Sequence, residues 1–167
     1  MYNVYILLGG NTGDVPATFS EVLNAIKDLG IVPVLTSSIY LSEPWGMEGD
    51  KLFCNQAALV KTSLSPGDLI KVLLDTERSF GRRRIKGVTG NRSIDIDILF
   101  YDDRVIDIPG LIIPHPRMHL RNFALIPMLE IAPEKVHPLL GKTVRQLCRE
   151  TDDRLWVRKA KGSGQNT

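Results

Sequence analysis

The chain has 167 residues, 43% hydrophobic and 24% charged, with 21 Lys and Arg against 19 Asp and Glu. That length suits one domain with a sizeable core, and the ordinary apolar fraction excludes a disordered chain. A net charge of +2 makes no general demand for nucleic acid, and two cysteines, Cys54 and Cys148, make neither a disulfide framework nor a metal cluster. With no basic-then-apolar leader and no bilayer-length apolar run, a reducing cytoplasm is the expected location.

Residues 3–8 form a short apolar strand candidate ended by Gly9-Gly10-Asn11-Thr12-Gly13-Asp14. A helix follows, with Phe19, Val22, Leu23, Ile26 and Leu29 at 3.6-residue spacing and Gly30 as its stop. Residues 31–41 suit one strand interrupted early by Pro33, and Ser42-Glu43-Pro44-Trp45-Gly46 opens a loop. Residues 53–61 read as a strand. Ser65-Pro66-Gly67-Asp68 then opens a second helix, with a serine cap and a proline in the first turn. That helix carries Leu69, Ile70, Leu73, Leu74 and Glu77 and ends near Gly81.

Residues 78–92 hold Arg78, Arg82, Arg83, Arg84, Lys86 and Arg92 with no acidic residue, and glycines 81, 87 and 90 permit motion. The octet Arg92-Ser93-Ile94-Asp95-Ile96-Asp97-Ile98-Leu99 follows, a period-2 strand with one greasy face. Asp102-Asp103 turns the chain into Val105-Ile106, and Pro109, Pro114 and Pro116 punctuate a connection. A helix is expected from about 120 to 131, and Val144, Leu147 and Cys148 suggest a final short one. Residues 159–167 are polar and read as a flexible tail. The order β-α-β-β-α-β is ferredoxin-like, an α+β fold whose mainly antiparallel sheet is covered by helices.

The aspartate octet carries the chemistry. Asp95 and Asp97 point to one side, roughly 7 Å apart at Cα. Like charges on one strand face repel, so a cation between them is the natural resolution. Mg²⁺ takes one or two carboxylates with phosphate oxygens and water. The alternative is a solvated face paired to lysine or arginine. The basic segment upstream is either a solvated charge run or a mobile phosphate-contacting loop, since arginine suits a transferring phosphoryl group. The glycine-rich run 9–14 reads better as a tight turn than as a phosphate cradle.

Other signals are weaker. Pro114-His115-Pro116-Arg117, with Arg121 beyond, sets one imidazole and two guanidiniums in an extended loop. Phe53 and Asn55 share a strand face and could stack on and read a flat heterocycle, although a lone Phe is ordinarily core. Trp45 sits in a loop, where large aromatics often bind something. His119 and His137 have no such setting.

Together these pieces resemble the 6-hydroxymethyl-7,8-dihydropterin pyrophosphokinase family of folate synthesis through nearly the whole chain. The resemblance is carried by Arg92-x-x-Asp95-Ile96-Asp97-Ile98-Leu99, with Leu8-Gly9-x-Asn11, Phe53-x-Asn55-Gln56-Ala57, Glu77-x-x-x-Gly81-Arg82, Pro114-His115-Pro116-Arg117 and Arg121-x-Phe123. It implies a single domain over 1–158 that moves pyrophosphate from ATP to the pterin hydroxymethyl group, releasing AMP. It implies two Mg²⁺ on Asp95 and Asp97, and a pterin between Phe53 and Phe123 read by Asn55, with Ser42, Pro44 and Trp45 completing its pocket. Arg82 and Arg92 would touch the transferring group. Glu77, Arg84, Ile98, Leu111, Ile112, His115 and Arg121 would hold ATP.

It further implies a cytoplasmic monomer with small-molecule substrates, acting on neither nucleic acid nor membrane. The chain departs from the family pattern at Val88, Thr89 and Asn91, which bears on loop closure, and at Leu120, where relatives often carry an acidic residue and the change has no structural explanation. Rival readings are a nucleic-acid-binding module using residues 78–92, a nucleotidyltransferase releasing pyrophosphate, and a pterin-binding homologue without catalysis.

Overall fold

A computed structural model describes residues 1–44, 51–81 and 94–162. Strand β1 (Tyr2–Gly10) alternates as its sequence demands: Val4, Ile6 and Leu8 are wholly buried on one face, while Leu7 packs on the other. Helix α1 (Val15–Lys27) is capped by Asp14, whose carboxylate accepts the Ala17 N–H at 3.2 Å, with Pro16 in the first turn. It closes before Leu29, which lies 48% exposed beyond its end and not on its buried stripe.

The strand expected over 31–41 is two strands, β2 (Ile31–Thr36) and β3 (Tyr40–Ser42), both pairing with β4 (Phe53–Thr62). The register explains the break. Pro33 faces Val60 and Leu35 faces Leu59, one slip; Thr36 faces Ala58 and Tyr40 faces Asn55, a second. Each slip inserts an extra residue and bends the strand. Helix α2 (Pro66–Ser79) starts at Ser65, whose hydroxyl accepts the Asp68 N–H as its sequence indicates.

Strand β5 (Asp95–Tyr101) follows, then a hairpin of β6 (Ile106–Ile108) and β7 (Leu111–Ile113) turned at Pro109 and Gly110. Three-residue strands carry too little alternation to be seen in a proline-rich sequence. Residues Met118–Leu120 make one 3-10 turn, and helix α3 (Asn122–Ile131) begins two residues later than expected because Arg121 is extended. Helix α4 (Val144–Glu150) opens on a reciprocal cap between Thr143 and Gln146. Strand β8 (Val157–Lys159) pairs with β3, and the Ala160 N–H donates to the Ile39 carbonyl. Lys159, expected at the start of a tail, is therefore part of the sheet.

The main sheet runs β5-β1-β4-β3-β8, with β2 also on β4, and every pairing is antiparallel. Helices α1 and α2 cover one face around Phe19, Ile26, Leu69, Leu73 and Ile96; α3 and α4 cover the other around Leu7, Phe100, Leu125 and Met128. A mixed helical and antiparallel-sheet domain results. Among the described residues no helix is long and apolar enough to cross a membrane.

Candidate active site

The aspartates owe their direction to their neighbours. Ile96 and Ile98 are 3% exposed in the core beneath α1 and α2, so Asp95 and Asp97 turn to the α3 face. Strand register then lays out that face. Asp95 lies beside Gly9, Gly9 beside Asn55, and Asn55 beside Tyr40; in the next row on this face Asp97 lies beside Leu7, and Leu7 beside Ala57. Directly paired residues share a face. Asn55 and Asp95 are thus two strand spacings apart, about 10 Å, with a residue lacking a side chain between them. A Cβ on Gly9 would stand 3.5 Å from Asn55 Oδ1.

Gly9 and Gly10 are strand residues and not the turn expected of them. Only Gly13 in that run has a positive φ, 75°. A glycine inside a strand often marks close approach by something else, and that signal was present in the sequence.

Ser42 on β3 and Asn55 on β4, both expected in the pterin pocket, meet directly. Asn55 is 3% exposed, and its Nδ2 donates to Ser42 Oγ at 2.8 Å. Ser42 faces Phe53 across the same ladder. Phe123 stands at the start of α3 above this face, with the Arg121 guanidinium carbon 5.4 Å from its ring centre. Pro44 is half-buried just past β3.

A basic wall borders the aspartates. Burial and the Arg117 charge lower the Arg121 pKa, while Asp97 and Asp95 oppose them. The His115 N–H donates to the Leu99 carbonyl, and its Nδ1 accepts the Arg117 N–H at 3.1 Å. Burial, then Arg121 and Arg117, push the His115 imidazole down to about 4, with Asp95 resisting. The ring is therefore neutral near pH 7, with its proton on Nε2 as a donor. Because this folded-state pKa lies below the ordinary 6.5, protons favour the unfolded chain. Stability is expected to fall through this group as pH drops from 6.5 towards about 4, and no further below. An NMR titration showing the His115 imidazole charged at pH 6 would contradict the assignment.

Glu77 is 2% exposed, and its Oε1 accepts the Ile96 N–H at 2.7 Å, so it props the outer edge of β5 between the aspartates. Within one strand alternate residues aim their backbone groups the same way. The Ile98 N–H and C=O accordingly turn outward too, between Glu77 and the His115 anchor on Leu99. The Ile98 and Leu111 side chains are core residues, at 3% and 7% exposure, while Ile112 is 48% exposed. Only Ile112 of the three presents its side chain. Trp45, Arg82, Arg84 and Arg92 lie outside the described residues.

The two carboxylates have no third His, Cys, Asp or Glu grouped with them among the described residues. That set is too small for a protein-caged metal and fits Mg²⁺ completed by phosphate and water.

An acidic ledge beside a basic wall, floored by an antiparallel sheet, defines a phosphoryl-transfer class of protein. The chain belongs to the 7,8-dihydro-6-hydroxymethylpterin-pyrophosphokinase family, whose profile matches residues 5–133. It is 39% identical over 149 residues to the 2-amino-4-hydroxy-6-hydroxymethyldihydropteridine pyrophosphokinase of Synechocystis, covering 87% of this chain and 74% of that one. The Aquifex aeolicus protein of the same name is also 39% identical, covering 87% of this chain and 90% of its own length. A crystal structure of a Plasmodium falciparum HPPK-DHPS triple mutant matches with a TM-score of 0.73 at 17% identity, over 89% of this chain. The chain spans 41% of that longer protein, and the likeness there is one of fold.

Proposed function

We propose that this protein transfers pyrophosphate from ATP to the hydroxymethyl group of 6-hydroxymethyl-7,8-dihydropterin, releasing AMP. The observation that carries the reading is the row Asp95, Gly9, Asn55 on one sheet face, in a chain of this family. The pterin lies on the Asn55 side, between Phe53 and Phe123, its polar edge met by Asn55 and the chain from Ser42 through Pro44 to Trp45. The triphosphate lies on the aspartate side, against Arg121 and the His115 Nε2–H. The nucleotide base meets the outward backbone of Ile98, beside Glu77, Leu111 and Ile112.

Catalysis on this plan is mainly positioning and charge neutralisation. The nucleophile is a primary alcohol, which a carboxylate such as Asp95 or Asp97 cannot ionise efficiently near neutral pH. Bound Mg²⁺, two ions on Asp95 and Asp97, supplies charge neutralisation on the phosphates. Asn55 and the two phenylalanines hold the hydroxymethyl group against the ledge, and the missing side chain at Gly9 leaves only backbone between Asn55 and Asp95. Arg82 and Arg92 are assigned to the transferring group and Arg84 to ATP; keeping out water, a competing nucleophile, falls to these arginines. The sheet order, with β5 and β4 flanking β1, supports a ferredoxin-like arrangement within a domain spanning 1–158. A monomeric, cytoplasmic protein with no nucleic-acid partner completes the reading.

Incubation with ATP, Mg²⁺ and the pterin is expected to yield AMP and diphosphorylated pterin in equal amounts. Release of pyrophosphate instead would identify a nucleotidyltransferase. Pterin binding without ATP consumption would identify a homologue without catalysis. Steeply salt-dependent RNA binding with no pterin binding would favour the basic-module alternative.

A further inference from the structure

We infer that Glu130 is a positioning residue that sets the height of Phe123 over the pterin floor; the inference rests on the function proposed above. Glu130 sits near the end of α3, seven residues after Phe123. Seven residues are almost two full turns, so both side chains lie on one stripe of the helix, about 10 Å apart along its axis. Phe123 packs, partly buried, against the core on the α3 side of the sheet, with Arg121 over its ring. Glu130 is aimed at the strand that forms the pocket's floor.

Its carboxylate gathers three donors from one short segment. The Ser38 N–H donates to both oxygens at 3.1 Å, the Ser38 hydroxyl to Oε1 at 2.9 Å, and the Tyr40 hydroxyl to Oε2 at 2.5 Å. Ser38 is 1% exposed and Tyr40 8%, so the donors are buried while the Glu130 carboxylate is half-buried. Burial, with the hydrogen bond and charge of Glu130, raises the Tyr40 pKa and keeps its phenol a donor. Tyr40 pairs with Asn55, and Ser42, two residues on, accepts the Asn55 amide. The clamp therefore grips the piece of β3 that orients the pterin-reading side chain.

The helix needs such a clamp because of its own sequence. Pro127 lies between Phe123 and Glu130 and has no N–H to return to the Phe123 carbonyl. The first turn is thereby loosened from the second. It is held instead from outside: the Asn122 N–H donates to Asp153 Oδ2 at 2.7 Å, and the Asn122 amide to the Asp153 carbonyl at 3.2 Å. Asp153 anchors one end of α3 and Glu130 the other, and Phe123 takes its place over the sheet from both.

The test compares Tyr40→Phe and Glu130→Gln with the parent protein, each checked for folding by circular dichroism and thermal melting. Calorimetry would measure binding of 6-hydroxymethyl-7,8-dihydropterin with Mg²⁺ and a non-hydrolysable ATP analogue present, and binding of the analogue alone. Glu130→Gln is expected to weaken pterin binding on the order of tenfold, as displacement of a positioning group does. Tyr40→Phe removes one hydroxyl without a cavity and is expected to weaken it roughly threefold. Analogue binding should stay within about twofold in both variants. Folded variants that bind pterin normally, or lose pterin and analogue equally, overturn the inference alone. A parent protein that binds no pterin overturns the proposed function, and this inference with it.

Discussion

Replacing Asp97 with alanine is expected to abolish turnover while leaving the fold intact. Asp97 sits opposite Leu7 on the α3 face, whereas the adjacent Ile96 and Ile98 supply the packing that stabilises the strand. Truncating it removes one of the two carboxylates and opens no void beneath α1 and α2. Loss of several kcal/mol of charge stabilisation corresponds to a rate lower on the order of 10³-fold. Steady-state AMP release at saturating Mg²⁺, beside a thermal melt, checks both halves. A folded variant turning over near the parent rate would remove Asp97 from the mechanism.

The second large effect is expected at Gly9, which lies between Asn55 and Asp95 on the sheet and so, on the proposed function, between pterin and triphosphate. Alanine there meets Asn55 Oδ1 at 3.5 Å, an ordinary contact, so Gly9→Ala should keep most activity. Leucine would project several atoms into the space where the alcohol must meet the phosphorus. Gly9→Leu is expected to lower kcat/KM by about 10² or more, since a displacement near 1 Å can cost that much. A thermal melt beside the kinetics separates loss of function from loss of fold, because a side chain at Gly9 also approaches the Cys54 carbonyl, 3.9 Å from a Cβ there. Equal losses in both variants, or a Gly9→Leu protein with normal kinetics, would show that nothing passes over Gly9.

Much of this was legible in the sequence, for reasons that differ residue by residue. The direction of Asp95 and Asp97 follows from strand alternation between isoleucines, a signal independent of long-range contacts. Ser65 and Asp14 cap their helices through bonds three residues away, so their roles are local. The split of 31–41 was not legible, because two register slips are decided by the partner strand β4. Glu77 was visible as a candidate nucleotide contact, but its bond to Ile96 spans 19 residues and arises only on folding. Glu130, with partners 90 and 92 residues away, gave no local sign at all. Gly9 was visible and misassigned, since a glycine ending an apolar run looks the same in a turn and in a strand.

Strand β5 changes character at a bulge. Upstream, Ile98 faces Ile6; downstream, Phe100 faces Tyr5, so two steps on β5 match one on β1. Leu99 and Phe100 consequently both pack beneath α3, and Tyr101 returns to the opposite core with its hydroxyl donated to the Leu64 carbonyl at 2.5 Å. In mechanical terms the strand is a cantilever. Its root, from Leu99 to Tyr101, is clamped between both cores; its tip carries the carboxylates; and Glu77 braces it from the side at Ile96. The stiffness with which the two aspartates are held is therefore lent to them by apolar residues in the two cores.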